Sequence, residues 1–84
     1  MAQVTLEPEA AAQFGALPAR IKARVENVFL RLANWPAVSG SKPLRGKLAG
    51  RWRIRTGDYR VQFRVEGDEV IVERVGHRSR FYEA

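Results

Sequence analysis

The chain has 84 residues with fifteen Lys and Arg against nine Asp and Glu, a formal net charge of +6, which reads as one small basic domain over 1–84, near the size at which a single core is only just adequate. With no cysteine and one histidine, a disulfide framework, a protein-ligated metal and a cofactor are not expected. No apolar run reaches the length of a membrane span and the start, MAQVTLEPEA, lacks leader features, so a cytoplasmic location is expected, with an anionic partner: nucleic acid, an acidic protein or a membrane surface.

In chain order, Gln3 to Leu6 is a short β-prone segment suited to a sheet edge. Pro8 sits where the first position of a helix tolerates proline, flanked by Glu7 and Glu9, and a helix is expected from Pro8 to Gly15 with Phe14 as its anchor. Pro18 opens a second helix on which Ile21, Val25, Val28, Phe29 and Leu32 fall three and four apart, a single apolar stripe that reads as core. Asn34, Pro36, Gly40 and Pro43 mark a connecting loop, and Trp35 within it reads as a cap on the core. Lys42, Arg45, Lys47 and Arg51 then cluster around Gly46 and Gly50 without the phosphate-loop pattern, so their expected contribution is electrostatic.

From Arg51 onward the sequence reads as three strands joined by two Gly-Asp turns, because glycine at the first loop position supplies the positive φ of a primed hairpin. With Gly57 and Asp58 as the first loop, Thr56 faces Tyr59, Arg55 faces Arg60, Ile54 faces Val61, Trp52 faces Phe63 and Arg51 faces Arg64. Opposed residues share a face, so Trp52, Ile54, Tyr59, Val61 and Phe63 make a core side. Arg51, Arg53, Arg55, Arg60 and Arg64 make the other. Opposed arginines repel by roughly 0.2 to 1 kcal/mol per pair unless an anion lies between them. A phosphate-bearing ligand is one reason to keep such a face, and a solvated face balanced by Glu66, Glu73 and water is the other. With Gly67 and Asp68 as the second loop, Val65 faces Val70 and Phe63 faces Val72, and Glu73 is expected opposite Gln62, near Arg53, as a structural partner for an arginine. Continued, that register would turn Arg74 toward the core, so a bulge or a strand end is expected there.

The chain closes on Gly76-His77-Arg78-Ser79-Arg80-Phe81-Tyr82, which crowds an imidazole, guanidiniums and a phenol together. Cleavage of a phosphodiester by the RNA 2′-hydroxyl needs a proton acceptor, an acid for the leaving oxygen and cations for the pentacovalent phosphate. His77 and Tyr82 suit proton transfer or base stacking, although a histidine at a strand end and a terminal Phe-Tyr also occur simply as solvated or packing residues.

The segments PLRG at 43–46, GRWRIRTGDYRV at 50–61 and VGHR at 75–78, with Tyr82, resemble the RelE/ParE superfamily of toxins from bacterial type II toxin–antitoxin modules. The resemblance spans nearly the whole chain. It implies an α+β fold in which two N-terminal helices pack on a mainly antiparallel four-stranded sheet, in the order β-α-α-β-β-β. It also implies a ribosome-dependent endoribonuclease that cuts mRNA without a metal and inhibits translation, held by a cognate antitoxin in a hetero-oligomer; the ParE branch instead poisons DNA gyrase. A plain nucleic-acid-binding module is a third possibility. Carried over by motif position, Arg53, Arg55 and Arg60 match the phosphate-handling positions, Arg78 the arginine after the last strand and Tyr82 the base-stacking tyrosine. His77 joins them as a candidate catalytic group, and Lys42, Arg45, Lys47, Arg51, Arg64 and Arg80 as RNA-binding cations. RelE-like toxins carry lysines where this chain has Arg53 and Arg55, and arginine does not deprotonate. Either His77 takes the base role, or catalysis rests on charge stabilisation and alignment by the ribosome, or the chain is a weak nuclease or none.

Overall fold

The computed structural model describes residues 1–81, Phe81 by its backbone alone. The element order is β1 (Gln3–Leu6), α1 (Pro8–Gly15), α2 (Ala19–Leu32), β2 (Lys42–Pro43), a 3-10 turn (Gly46–Leu48), β3 (Arg51–Thr56), β4 (Tyr59–Glu66), β5 (Glu69–His77) and α3 (Arg78–Phe81). The sheet has five strands in the order β1-β5-β4-β3-β2. One strand more than expected arises because Lys42 and Pro43, read as loop, pair with Arg53 and Trp52 at the edge of β3. Pairing is antiparallel except for β1, which runs parallel to β5 with Val4 beside Val70 and Leu6 beside Val72.

Both Gly-Asp loops form as their sequence demands, with Gly57 and Gly67 each at φ +60°, left-handed backbone that costs glycine nothing. The first turn sets the β3/β4 register expected from sequence, from Thr56 with Tyr59 to Arg51 with Arg64. The second starts as expected, with Val65 beside Val70 and Phe63 beside Val72, and then slips. Gln62 faces Arg74, which corrects the expected pairing with Glu73: the extra residue is a β-bulge between Phe63 and Gln62. The bulge resets the alternation of β5. Val70 and Val72 face the core, and after the slip Val75, 3% exposed, does so in place of Arg74. A guanidinium in the core would need its own carboxylate and water; one inserted residue removes the problem.

Both helices lie on this apolar side. Val25, Val28 and Leu32 from α2 and Ala10 from α1 are buried with Ile54, Val61, Phe63, Val70 and Val72, while Ile21, Phe29 and Phe14 pack at the margin. Pro8 occupies the first turn of α1, where its missing N–H leaves no helix bond unmade, and Glu9 adds a favourable charge at that end. Trp35 closes the core as expected, its ring 4.9 Å from Trp52 and 5.4 Å from Phe63, edge to face in both pairs. No helix among the described residues is long and apolar enough to cross a membrane.

Candidate nucleic-acid interface

The face of the sheet turned away from the helices is the basic one. Its rungs from β3 to β4 are Arg51 with Arg64, Arg53 with Gln62 and Arg55 with Arg60. The bulge adds Arg74 beside Gln62 and Gly76 beside Arg60. Arg74 was not among the residues expected here. The signal for it was in the apolar spacing, two from Val70 to Val72 and then three to Val75, a phase break that an extra residue produces.

The two ends of this face differ in electrostatics. At one end Glu73, 8% exposed, gathers the cations: Arg51 Nε donates to its Oε1 at 2.8 Å, Gln62 Nε2 donates to the same oxygen at 3.0 Å, and Arg64 Nη1 donates to Oε2 at 2.8 Å. Burial pushes the Glu73 carboxyl up, but the hydrogen bonds from Gln62, Arg64 and Arg51 together outweigh it and hold the group below the usual carboxylate range. Arg64 also donates to Glu66 at 2.7 Å and to Glu7 at 2.9 Å, and its guanidinium is raised further above its ordinary range by Glu66, Glu7 and Glu73. The expected structural partnership of Glu73 with an arginine therefore forms, with Arg51 and Arg64. These arginines are balanced by carboxylates where they stand.

The other end lies at the β3/β4 turn. Arg55 is exposed, whereas Arg60 across from it is 7% exposed. Gly76, next in the rung, places no side chain on the face. The start of α3 is latched to the same turn: Arg78 N donates to Asp58 O at 2.8 Å, and Arg78 Nε stands 3.8 Å from Asp58 Oδ1. Arg55 and Arg60 thus oppose one another across the rung, and Arg78, the first residue of the last helix, is tied to the turn that joins their strands. Arg24, a second residue the sequence did not single out, reaches this turn from α2; its Nη1 lies 2.9 Å from where a Cβ on Gly57 would be.

Among the expected site residues, Arg53 is half-buried in the middle rung, while Lys42, Arg45 and Lys47 are exposed on the approach to β3 and Arg80 on α3. Among the described residues, Arg55, Lys42, Arg45, Lys47 and Arg80 have no carboxylate within ion-pair distance. His77 lies on the other side of the sheet from Arg53, Arg55 and Arg60: it is paired with Tyr59 and shares that residue's side, their rings 5.3 Å apart at 86°. Its Nδ1 accepts the Ser79 backbone N–H at 3.1 Å, with Ser79 Oγ at 2.8 Å. An amide nitrogen can only donate, so in the neutral ring the proton sits on Nε2. Tyr82 lies outside the described residues. No group of three or more His, Cys, Asp or Glu among the described residues is placed to hold a metal ion.

The chain that builds this face is similar to known proteins in sequence and in fold. Residues 4–82 match the family model described as the ParE toxin of the type II toxin–antitoxin system parDE. Toxin RelG of Mycobacterium tuberculosis is 42% identical over 69 residues, 79% of this chain and 78% of that one. Toxin RelE3 of Methanocaldococcus jannaschii is 31% identical over 70 residues, 80% of each chain. Among solved structures, that of the toxin–antitoxin complex RelBE2 from Mycobacterium tuberculosis superposes with a TM-score of 0.80 at 32% identity, covering 92% of this chain and 98% of the matched one.

Proposed function

Because this chain belongs to the family of ParE toxins of type II toxin–antitoxin systems, with RelE-like relatives, we propose that it is a ribosome-dependent endoribonuclease that cuts mRNA and so stops translation. The observation that carries this reading is the rung of Arg55, Arg60 and Gly76 with Arg78 beside it. Arginines are opposed there, and the carboxylate that neutralises the rest of the face is at its far end. In the proposed reaction the 2′-oxygen of the RNA forms a bond to the adjacent phosphorus as the bond to the 5′-oxygen breaks, giving a 2′,3′-cyclic phosphate; the 2′-hydroxyl proton passes to water and the leaving 5′-oxygen takes a proton from water. Charge accumulates on the phosphoryl oxygens in the transition state, and fixed guanidiniums stabilise it most when water is excluded. Arg53, Arg55, Arg60 and Arg78 take that role, Tyr82 stacks on a base, and Lys42, Arg45, Lys47 and Arg80 hold the flanking backbone.

Arginine does not accept the 2′-hydroxyl proton. His77 has its lone pair at Nδ1 engaged by Ser79 and lies on the side of Tyr59. We therefore assign the catalytic power to charge stabilisation and to alignment of the RNA by the ribosome, with His77 outside the phosphate cradle. The partner is a cognate antitoxin, a reading supported by the likeness to the RelBE2 toxin–antitoxin complex, and a segment carrying acidic residues would complement the basic face.

A second reading is favoured by the name of the matching family model, a ParE toxin: a poison of DNA gyrase without RNA chemistry. Induction in a bacterial host, with new mRNA 5′ ends mapped and replication followed, separates the two. Cuts within translated codons that disappear in Arg55→Ala and Arg78→Ala, both exposed positions that leave the core intact, are the expected result. Replication arrest with intact mRNA would move the protein to the gyrase class, and cleavage retained in both variants would remove the assignment of these arginines.

A further inference from the structure

At the border of the arginine face, a cleft of about 600 Å³ opens between the α1/α2 turn and the end of β5. One wall is Leu17 and Pro18; the opposite wall is Tyr59 and His77, and Arg74 and Arg80 stand at its border. We propose that this cleft is a binding site for an unpaired nucleotide of the RNA strand, an inference that rests on the nuclease reading above and adds to it a base pocket distinct from Tyr82.

Several features fit that ligand. The volume lies within the range of small-molecule sites, typically about 300 to 1,000 Å³, and accommodates a base with its ribose. Tyr59 and His77 are both half-buried and meet at a right angle, 5.3 Å between centroids. A base can therefore stack on one ring while the edge of the other closes the corner. Because Ser79 donates its backbone N–H to Nδ1 of His77, the neutral imidazole keeps Nε2 as a fixed N–H donor, suited to the carbonyl and ring-nitrogen acceptors that bases carry. The bordering arginines supply the attraction for the phosphates on either side. Arg74 is at once part of the basic face and of the cleft border, so one strand of RNA crossing the edge of β5 would meet the phosphate-binding arginines and then the cleft. A purely apolar peptide would use the Leu17 wall but leave the cations and the fixed donor without a purpose.

The test uses the full chain and a 2′-O-methylated trinucleotide, which has no free 2′-hydroxyl nucleophile and so binds without being cut. Backbone resonances of Leu17, Tyr59 and His77 are expected to shift on titration. Tyr59→Ala should weaken binding roughly five- to a hundredfold, the range for loss of one stacked base, and Tyr59→Phe should bind as the wild type does. Ala16→Trp, at an exposed position on the cleft, fills it without touching the core and should weaken binding at least about fivefold even if Tyr59→Ala fails to fold. Shifts confined to the face of Arg53, Arg55 and Gln62, with Ala16→Trp binding normally, would overturn the proposal. Binding in the cleft by a chain that never cuts mRNA on translating ribosomes would instead remove the nuclease reading and leave the nucleotide site standing.

Discussion

Replacing Glu73 with glutamine tests whether the carboxylate is the fastener of the basic face. In the fold it accepts from Gln62 and Arg51 on one oxygen and from Arg64 on the other. An amide keeps one acceptor and, with its donor on the Gln62 and Arg51 side, withdraws the oxygen that both of them use. Stranding the buried Gln62 amide costs roughly 1 to 3 kcal/mol. The half-exposed Arg51 can turn to water, so the loss there is about 1 kcal/mol or less. Together these give about 1 to 4 kcal/mol, a sizeable share of the roughly 4 to 12 kcal/mol expected for a domain of this size, visible as a lower urea midpoint with an unchanged slope. The pH dependence has a definite sign. The carboxyl is held below its ordinary 4.5 in the fold, so its contribution is complete above that pH and is lost as pH falls through the depressed value. The gap between wild type and Glu73→Gln should therefore be full at pH 7 and close in acid. The substitution also releases positive charge onto the face, so RNA affinity at low salt should rise and fall off more steeply with salt. Urea curves at pH 7 that agree within about 0.5 kcal/mol, the ordinary spread of surface substitutions, would refute the reasoning.

Gly57→Ala and Gly67→Ala both force a side chain into left-handed backbone and should each cost about 1 to 2 kcal/mol by urea unfolding. Gly57→Ala additionally displaces the Arg24 guanidinium, so it alone of the two should alter RNA affinity if Arg24 extends the basic surface around the turn. Phe63→Ala removes a fully buried ring that packs against Trp35 and should cost about 3 to 5 kcal/mol, read as loss of cooperative unfolding. Binding of single-stranded RNA should weaken steeply with salt, with a smaller slope in Arg55→Ala, by about 0.7 per phosphate contact removed; an unchanged slope would show that Arg55 meets no phosphate.

The periodic and turn-coded parts of this protein were determined by sequence alone. A Gly-Asp loop fixes hairpin register locally, so the opposition of Arg55 to Arg60 and the separation of Trp52, Ile54 and Phe63 from the arginines could be read before any coordinates. The α2 stripe and the Pro8 start of α1 were legible for the same reason, since each depends on residues within a turn or two of one another. The Arg53, Arg55, Arg60 and Arg78 motif was equally visible, but not its surroundings. Only the tertiary structure decided that the expected break in β5 is a bulge and that it carries Arg74 to the basic face beside Glu73, because whether strand alternation continues depends on what the neighbouring strand and the core will accept. It likewise decided that Lys42 and Pro43 pair at the edge of β3, that Glu73 serves Arg51 and Arg64 at once, and that His77 stands with Tyr59 rather than among the arginines. Those outcomes depend on contacts between residues far apart in the chain, whose pairing is set by how the whole sheet closes under its helices.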